Sequence, residues 1–432
     1  MTPAGRAAAA IELLHGIAAG ADPADTIIAE YFRRRRYAGS GDRRAVRDLV
    51  YDVLRNLGIL KWRLAEAGGN SDDARAWLIV EIAARAPADL AAMFGGGRFG
   101  PAPLSADEGA LAISLVRQPV PVEAAPRWAQ LNCPEWLLER FDRAFPETCD
   151  SEVHALNQPA SVDLRVNLLR ATRSAAQAAL AAEGHIVTPT PISPVGLRAD
   201  SWLPLANTRT FKDGLVEVQD ESSQLLALAV NARPGERIAD LCAGGGGKTL
   251  ALAAMMENSG EIIAADVSPS RLRRMTPRLR RAGVTIAHAT TVDIAALADA
   301  IESVDRALID APCSGTGAWR RHPEARWLLT PEQLADFTAT QANLLRDGAR
   351  LVRPGGWLVY ATCSLLPEEN EAQADAFLAG HPQFRRVPVG DYLSTDQLTL
   401  AGLNTDGDLH LTPARNGVDG VYAAVFEKAD GG

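Results

Sequence analysis

The sequence predicts a doubly wound α/β domain, preceded by an all-helical region and a small α+β insert. Three observations carry this reading: strand-then-helix alternation beyond Gly235, a glycine-rich turn at its first junction, and apolar residues at helical spacing through the first 90 positions. With 432 residues the chain is longer than one hydrophobic core usually supports, so several domains are expected. Its 47% hydrophobic and 22% charged content is that of an ordinary globular protein, which excludes a disordered chain.

The helical region shows its period in Ala10, Leu13, Leu14 and Ile17, and again in Val46, Leu49, Val50, Val53 and Leu54. Glycine and proline between Ala86 and Pro103 predict a loop there, and Pro134 to Phe145 predicts a further helix. The insert reads as a strand (Val162 to Leu169), a helix (Ser174 to Glu183) and short apolar segments ending near Val218. After Gly235 come Ile238 to Leu241, Leu250 to Met256, Glu261 to Asp266, Pro269 to Arg281, Asp305 to Asp310, Glu332 to Leu351 and Trp357 to Thr362. Their alternation implies a parallel sheet covered by helices. Pro277 is expected to kink or shorten its helix, because it lacks the donor a helix interior needs. The expected division is 1–125, 126–220 and 221–432.

A net charge of -9 argues against a generic nucleic-acid binder, yet arginine clusters stand at 33–36 with 43, 44 and 47, at 271–281, and at 320, 321 and 326. Phosphate contact depends on local charge, so at least one of these is expected to face RNA. Five cysteines without CxxC spacing fit neither a disulfide framework nor a zinc cluster, so no metal is expected and reduced thiols point to the cytoplasm. The apolar stretch Ala7 to Ala19 is interrupted by Glu12 and His15, which argues for an amphipathic helix rather than a leader or a membrane span.

In an open α/β sheet, ligands bind beyond the carboxyl ends of the strands. The first strand runs into Asp240-Leu241-Cys242-Ala243-Gly244-Gly245-Gly246-Gly247-Lys248, where backbone can approach a ligand that side chains would exclude. The loop is neither GxGxxG nor a phosphate-binding GxxxxGK[ST], since Ala243 takes the first glycine position of the latter. Asp266 ends the next strand, where a carboxylate can accept both hydroxyls of a ribose. The candidate cofactor set is therefore Asp240, Cys242, Ala243, Gly244, Gly245, Gly246, Gly247, Lys248, Asp266, Arg271, Asp293 and Asp310, with an adenosine-containing ligand expected and Asp293 as a candidate partner of the adenine amine.

Cys313 and Cys363 fall just past the ends of two later strands, in Asp310-Ala311-Pro312-Cys313-Ser314-Gly315 and Ala361-Thr362-Cys363-Ser364. The expected adjacency of those strands brings both thiols to the rim of the glycine loop. One thiol can add to carbon 6 of a pyrimidine and make carbon 5 nucleophilic toward a sulfonium methyl donor, and a second can help undo the addition. Cys363 is the expected attacker, with a helix beginning near Pro367 favouring its thiolate. Asp310 is the candidate to hold the base, Cys313 to assist release and Lys248 to assist in the same pocket. Arg320, Arg321 and His322 are candidates for phosphates beside a flipped base. Cys133, Cys149 and the Cys242 thiol read as packing groups.

These residues resemble the RsmB/Sun type of RNA cytosine-5 methyltransferase, in the wider NOP/Sun family. The resemblance rests on Val218-Gln219-Asp220-Glu221-Ser222-Ser223-Gln224, on Asp240 to Ala243 with Gly246-Gly247-Lys248-Thr249, and on Asp310 to Gly317. It rests also on Arg321-His322-Pro323-Glu324 and on Ala361 to Ser364 with Pro367-Glu368-Glu369-Asn370. It implies a Rossmann-like domain using S-adenosylmethionine, an RNA-recognition role for the insert, a NusB-like RNA-binding domain at the N-terminus, Cys363 as nucleophile and Cys313 in release. It further implies 5-methylation of a cytidine in small-subunit ribosomal RNA. Gly245 departs from the family pattern, which has proline there. Two alternatives stand beside this reading: a transfer-RNA substrate, because phosphate contacts do not reveal which nucleic acid they hold, and a non-catalytic RNA-binding assembly factor.

Overall fold

The computed structural model describes residues 1–20, 22–117, 121–200, 203–300 and 303–430, which form two compact units. One comprises Met1–Gln158 together with Trp319–Leu329, and the other Pro159–Ala318 with Thr330–Gly432. The chain thus divides at Gln158, with the helices of 126–158 grouped with the N-terminal helices and the insert grouped with the large sheet.

The first unit is helical, and its apolar stripes meet in one core. Pro3–Ala18, Ala24–Arg34, Ser40–Glu66 and Ala74–Arg85 contribute Leu13, Leu14, Ile28, Phe32, Val50, Leu54, Trp77 and Val80, all buried. The segment from Ala86 to Pro103 is not wholly irregular, because Leu90–Phe94 is helical and Phe94 is buried. Trp319–Leu329 packs into this unit. Arg326 is fully buried and donates from Nη1 to Asn132 O and from Nη2 to Leu156 O, each at 3.0 Å. Burial pushes its pKa down to about 10. Arg326 is therefore an internal brace, and this member of the 320, 321 and 326 cluster does not face a ligand.

The second unit holds two sheets. The smaller has β1 (Val162–Val166), β2 (Val187–Pro189), β3 (Gly196–Ala199) and β4 (Val216–Val218) in antiparallel order β2-β3-β1-β4. The larger has β5 (Arg237–Asp240), β6 (Glu261–Asp266), β7 (Ala287–Thr291), β8 (Val304–Asp310), β9 (Val352–Thr362), β10 (Phe384–Val387), β11 (Leu409–Leu411) and β12 (Val421–Lys428). Its order is β10-β12-β9-β8-β5-β6-β7, with β11 also paired to β12. Strands β5 to β9 run parallel, and β12 enters antiparallel between β9 and β10. Strands β8 and β9 are neighbours, as the reading of the two cysteine loops required.

The covering helices start where their sequence caps them. Pro331–Leu351 opens with a reciprocal capping box between Thr330 and Gln333, a device worth about 1 kcal/mol. Asp220 caps Glu221–Ala229, and buried Glu221 accepts from Ile192 N at 2.6 Å and Ser193 N at 2.7 Å, joining this helix to the small sheet. Pro277 does not shorten its helix, which runs Pro269–Ala282. The lost bond falls at exposed positions, where water can satisfy the freed carbonyl. Among the described residues no helix is long and apolar enough to cross a membrane.

Candidate active site

The glycine loop connects β5 to the helix Gly247–Met255. Asp240 is fully buried beneath it and accepts from the Thr249 hydroxyl at 2.7 Å, so this carboxylate braces the helix and has no surface for a ligand. Burial pushes its pKa up to about 6. The loop itself is held by Asp266 at the end of β6, whose two oxygens accept from Gly244 N at 2.9 Å and Ser268 N at 2.7 Å. Gly246 has φ +81°, and a Cβ there would lie 2.4 Å from Met275 Cγ, so only glycine fits. Cys242 packs at the core edge, where burial raises its thiol pKa. Arg271 is exposed on the helix after β6, and exposed Asp293 caps the following helix by accepting from Ala296 N at 2.7 Å.

Gly245 has a partner that the sequence did not suggest. Its carbonyl accepts from Arg278 Nη1 at 2.5 Å, and Arg278 is held in turn by buried Glu217 on β4 at 3.2 Å. Arg281 pairs with the same carboxylate. Two arginines of the cluster at 271–281 are therefore committed inside the unit, while Arg271, Arg273, Arg274 and Arg280 remain exposed.

At the neighbouring strand ends, Lys248 Nζ donates to Asp310 Oδ2. Burial disfavours the ammonium, but the charge and hydrogen bond of Asp310 outweigh it and the lysine pKa is raised. Lys248 thus stays charged at neutral pH and holds Asp310 in place rather than acting as a base. Cys313 Sγ and Cys363 Sγ lie 3.4 Å apart. The hydrogen bond with Cys363, and then burial, push the Cys313 pKa well above its ordinary value, so Cys313 is the protonated partner of the resting pair.

The α-helix expected near Pro367 begins four residues later, at Glu371. Pro367–Glu369 is a single 3-10 turn, and the helix runs from Glu371 to Gly380. What lies behind the thiols is instead a buried carboxylate, Glu369, together with Asn370, which accepts from the Thr362 hydroxyl at 2.6 Å and donates to Ser364 O at 2.9 Å. Gly317 seals the other side by donating from N to Cys363 O at 2.9 Å. A Cβ there would lie 2.2 Å from Gly420 O. His322 belongs with the helical unit, 3.7 Å from Glu324 Oε1, whose carboxylate raises the imidazole pKa.

Comparison with known proteins bears on the family and the fold. The model of a family described as 16S rRNA methyltransferase RsmB/F matches residues 227–427, and that of an RsmF/B-like ferredoxin-like domain matches residues 133–205. A probable ribosomal RNA small subunit methyltransferase B of Synechocystis sp. is 36% identical over 304 residues, covering 69% of this chain and 68% of that protein. The solved structure titled PH0851 aligns over 99% of both chains with a TM-score of 0.79 and 25% identity. A methyltransferase homolog protein from Pyrococcus horikoshii aligns over 70% of this chain and 97% of its own, with a TM-score of 0.61 and 27% identity. With its paired strand-end thiols and these relatives, the chain belongs to the RsmB/Sun family of RNA methyltransferases.

Proposed function

We propose that this chain methylates carbon 5 of a cytidine in small-subunit ribosomal RNA, in the cytoplasm, through a transient bond between Cys363 and carbon 6. The observation that carries the reading is the 3.4 Å separation of two thiols beside the Asp310–Lys248 pair, a spacing that lets them reach adjacent ring carbons.

The residues present fit S-adenosylmethionine. Each Asp266 oxygen spends one bond on a backbone N–H and keeps a lone pair for a ribose hydroxyl. A Cβ on Gly244 would meet nothing closer than 3.9 Å, so the loop beside Asp266 is open. Arg271 and Asp293 would flank the adenosine end, with the backbone of Cys242, Ala243, Gly245 and Gly247 forming the rest of the cradle. When bound, the donor supplies an electrophilic methyl group on a positively charged sulfur.

Cys363 Sγ uses an electron pair to form the bond to carbon 6, and the ring electrons move to carbon 5, where that pair would form the new bond to the methyl carbon while the methyl–sulfur pair stays behind on the donor sulfur as a neutral thioether. Asp310 accepts a hydrogen bond from the exocyclic amine and is held in that pose by Lys248. Once the Cys363 sulfur is bonded to carbon, its charge no longer opposes ionisation of Cys313, which can release its proton to water. The Cys313 thiolate then takes the proton from carbon 5. That C–H pair closes the carbon 5–carbon 6 double bond, and the carbon–sulfur pair returns to Cys363 as thiolate.

Two results follow. Bisulfite sequencing of 16S ribosomal RNA from a deletion strain is expected to lose one 5-methylcytidine that reappears on complementation. Loss in transfer RNA instead would overturn the substrate, and no change in either would overturn the activity. Arg278→Met is expected to weaken S-adenosylmethionine binding by roughly tenfold in calorimetry, because a hydrogen bond from a charged group is worth about 1.5–3 kcal/mol. Gly245→Pro in the same chain is expected to restore part of that loss by stiffening the backbone that Arg278 held. Unchanged affinity in Arg278→Met would sink the anchor.

A further inference from the structure

Behind the two thiols lies a carboxylate with no exposed surface and no arginine or lysine partner among the described hydrogen bonds and ion pairs. Glu369 Oε1 accepts from Ser314 N at 2.8 Å and from Gln341 Nε2 at 3.0 Å. Its Oε2 accepts from Ser364 Oγ at 2.5 Å and from the Ser314 hydroxyl. Ser314 follows Cys313 and Ser364 follows Cys363, so one carboxylate grips the residue next to each reactive sulfur. The two hydroxyls are themselves 3.3 Å apart, and Thr316 Oγ1 reaches Ser364 Oγ at 3.2 Å while accepting from Leu365 N at 2.8 Å. Gln341, whose amide closes the set, is wholly buried on the long helix Pro331–Leu351.

Enclosing a carboxylate costs several kcal/mol unless its lone pairs are satisfied, and here four donors satisfy them. A fold needing only to close this space would do so at least as well with leucine. What a carboxylate adds is direction: two oxygens at fixed separation set the distance between two loops that leave different strands.

We propose that Glu369 is a positioning residue for both thiols, holding the Cys313 and Cys363 loops in register through Ser314 and Ser364 so that attack and release act on one base. The proposal rests on the covalent mechanism above and assigns the two arms to different steps. The Ser364 arm orients the sulfur that bonds to carbon 6, and the Ser314 arm orients the sulfur that removes the carbon 5 proton.

The test compares Ser314→Ala, Ser364→Ala, Glu369→Leu and Glu369→Gln with the native enzyme, using denaturing gels of the enzyme–RNA adduct alongside turnover. Ser314→Ala is expected to lower kcat by roughly tenfold and raise the trapped adduct, because misplacing a reacting group by less than 1 Å already costs rates of that order. Ser364→Ala is expected to lower kcat similarly and reduce the adduct. Both are expected to leave the KM for S-adenosylmethionine within about twofold, since neither serine lies in the donor cradle. Glu369→Gln keeps one acceptor and turns the other arm into a donor to two hydroxyls, so it is expected to recover most of the rate that Glu369→Leu loses. If the serine variants shift only the melting temperature, with kcat and adduct unchanged, Glu369 is structural and the proposal is overturned. If they lower kcat with no opposite change in adduct, the assignment of arms to steps is overturned. Absence of adduct even in Cys313→Ala would instead bring down the covalent mechanism, and the proposal with it. Should Glu369→Leu fail to fold, the two serine variants decide alone.

Discussion

Cys363→Ala is expected to abolish both methyl transfer and covalent capture of RNA, while Cys313→Ala retains capture and accumulates the adduct. The asymmetry follows from the resting pair, in which Cys313 carries the proton and Cys363 lies 3.4 Å away as its partner. Removing a covalent nucleophile typically costs roughly 10⁴–10⁶-fold in turnover, so Cys363→Ala should sit at background. Removing a group that only transfers a proton costs about 10²–10⁴-fold, and it does so after the carbon–sulfur bond has formed. The measurement is a denaturing gel of enzyme mixed with cytidine-containing RNA and S-adenosylmethionine. A slow-migrating band in Cys313→Ala and none in Cys363→Ala is the expected pattern. The reverse pattern would exchange the two roles, and two bands of equal intensity would remove Cys363 as the nucleophile.

The second large effect is expected at Asp266. Its carboxylate orders Gly244 and Ser268 and is the candidate acceptor for ribose hydroxyls. Asp266→Asn halves the acceptors and brings a donor toward backbone N–H groups, so it removes at least one charge-assisted bond worth about 1.5–3 kcal/mol. Affinity for S-adenosylmethionine is expected to fall by roughly 10–100-fold. Capture of RNA by Cys363 in the absence of donor should be nearly unchanged, because Asp266 touches neither cysteine loop. Undiminished donor affinity in calorimetry would exclude Asp266 from the cofactor site.

Much of the second unit was legible because parallel strands buried on both faces are written as short apolar runs. Ile238 to Leu241, Glu261 to Asp266 and Asp305 to Asp310 were read to within a residue or two of β5, β6 and β8. The alternation rule has no slot for β12, which enters antiparallel beside β9 with no helix after it, although Val421 to Phe426 is wholly buried. Nor did it find β7, whose Ala287-His288-Ala289-Thr290-Thr291 is mostly exposed at the sheet edge.

At the site, the positions of Cys313, Cys363, Asp310, Lys248 and Asp266 were legible because strand ends of an α/β sheet converge. What was hidden is what buried charge does. Arg278 and Arg326 stood in arginine clusters of which at least one was expected to face RNA, and Glu369 was noted only within Pro367-Glu368-Glu369-Asn370. Only the fold reveals that each points inward to a polar partner. A sequence signal existed for Glu369, since Leu365, Leu366 and Ala374 around it mark a buried stretch.

The bracing of the helical unit by Trp319–Leu329 bears on how the polypeptide matures. As the chain leaves the ribosome, the helices up to Gln158 emerge well before the segment that completes their core. Until Leu329 has been made, the places later taken by Trp319 and Arg326 lie open to water or to other chains. A gene fragment encoding the early helices alone would keep that exposed socket permanently, and a useful truncation has to carry the distant eleven-residue plug with it.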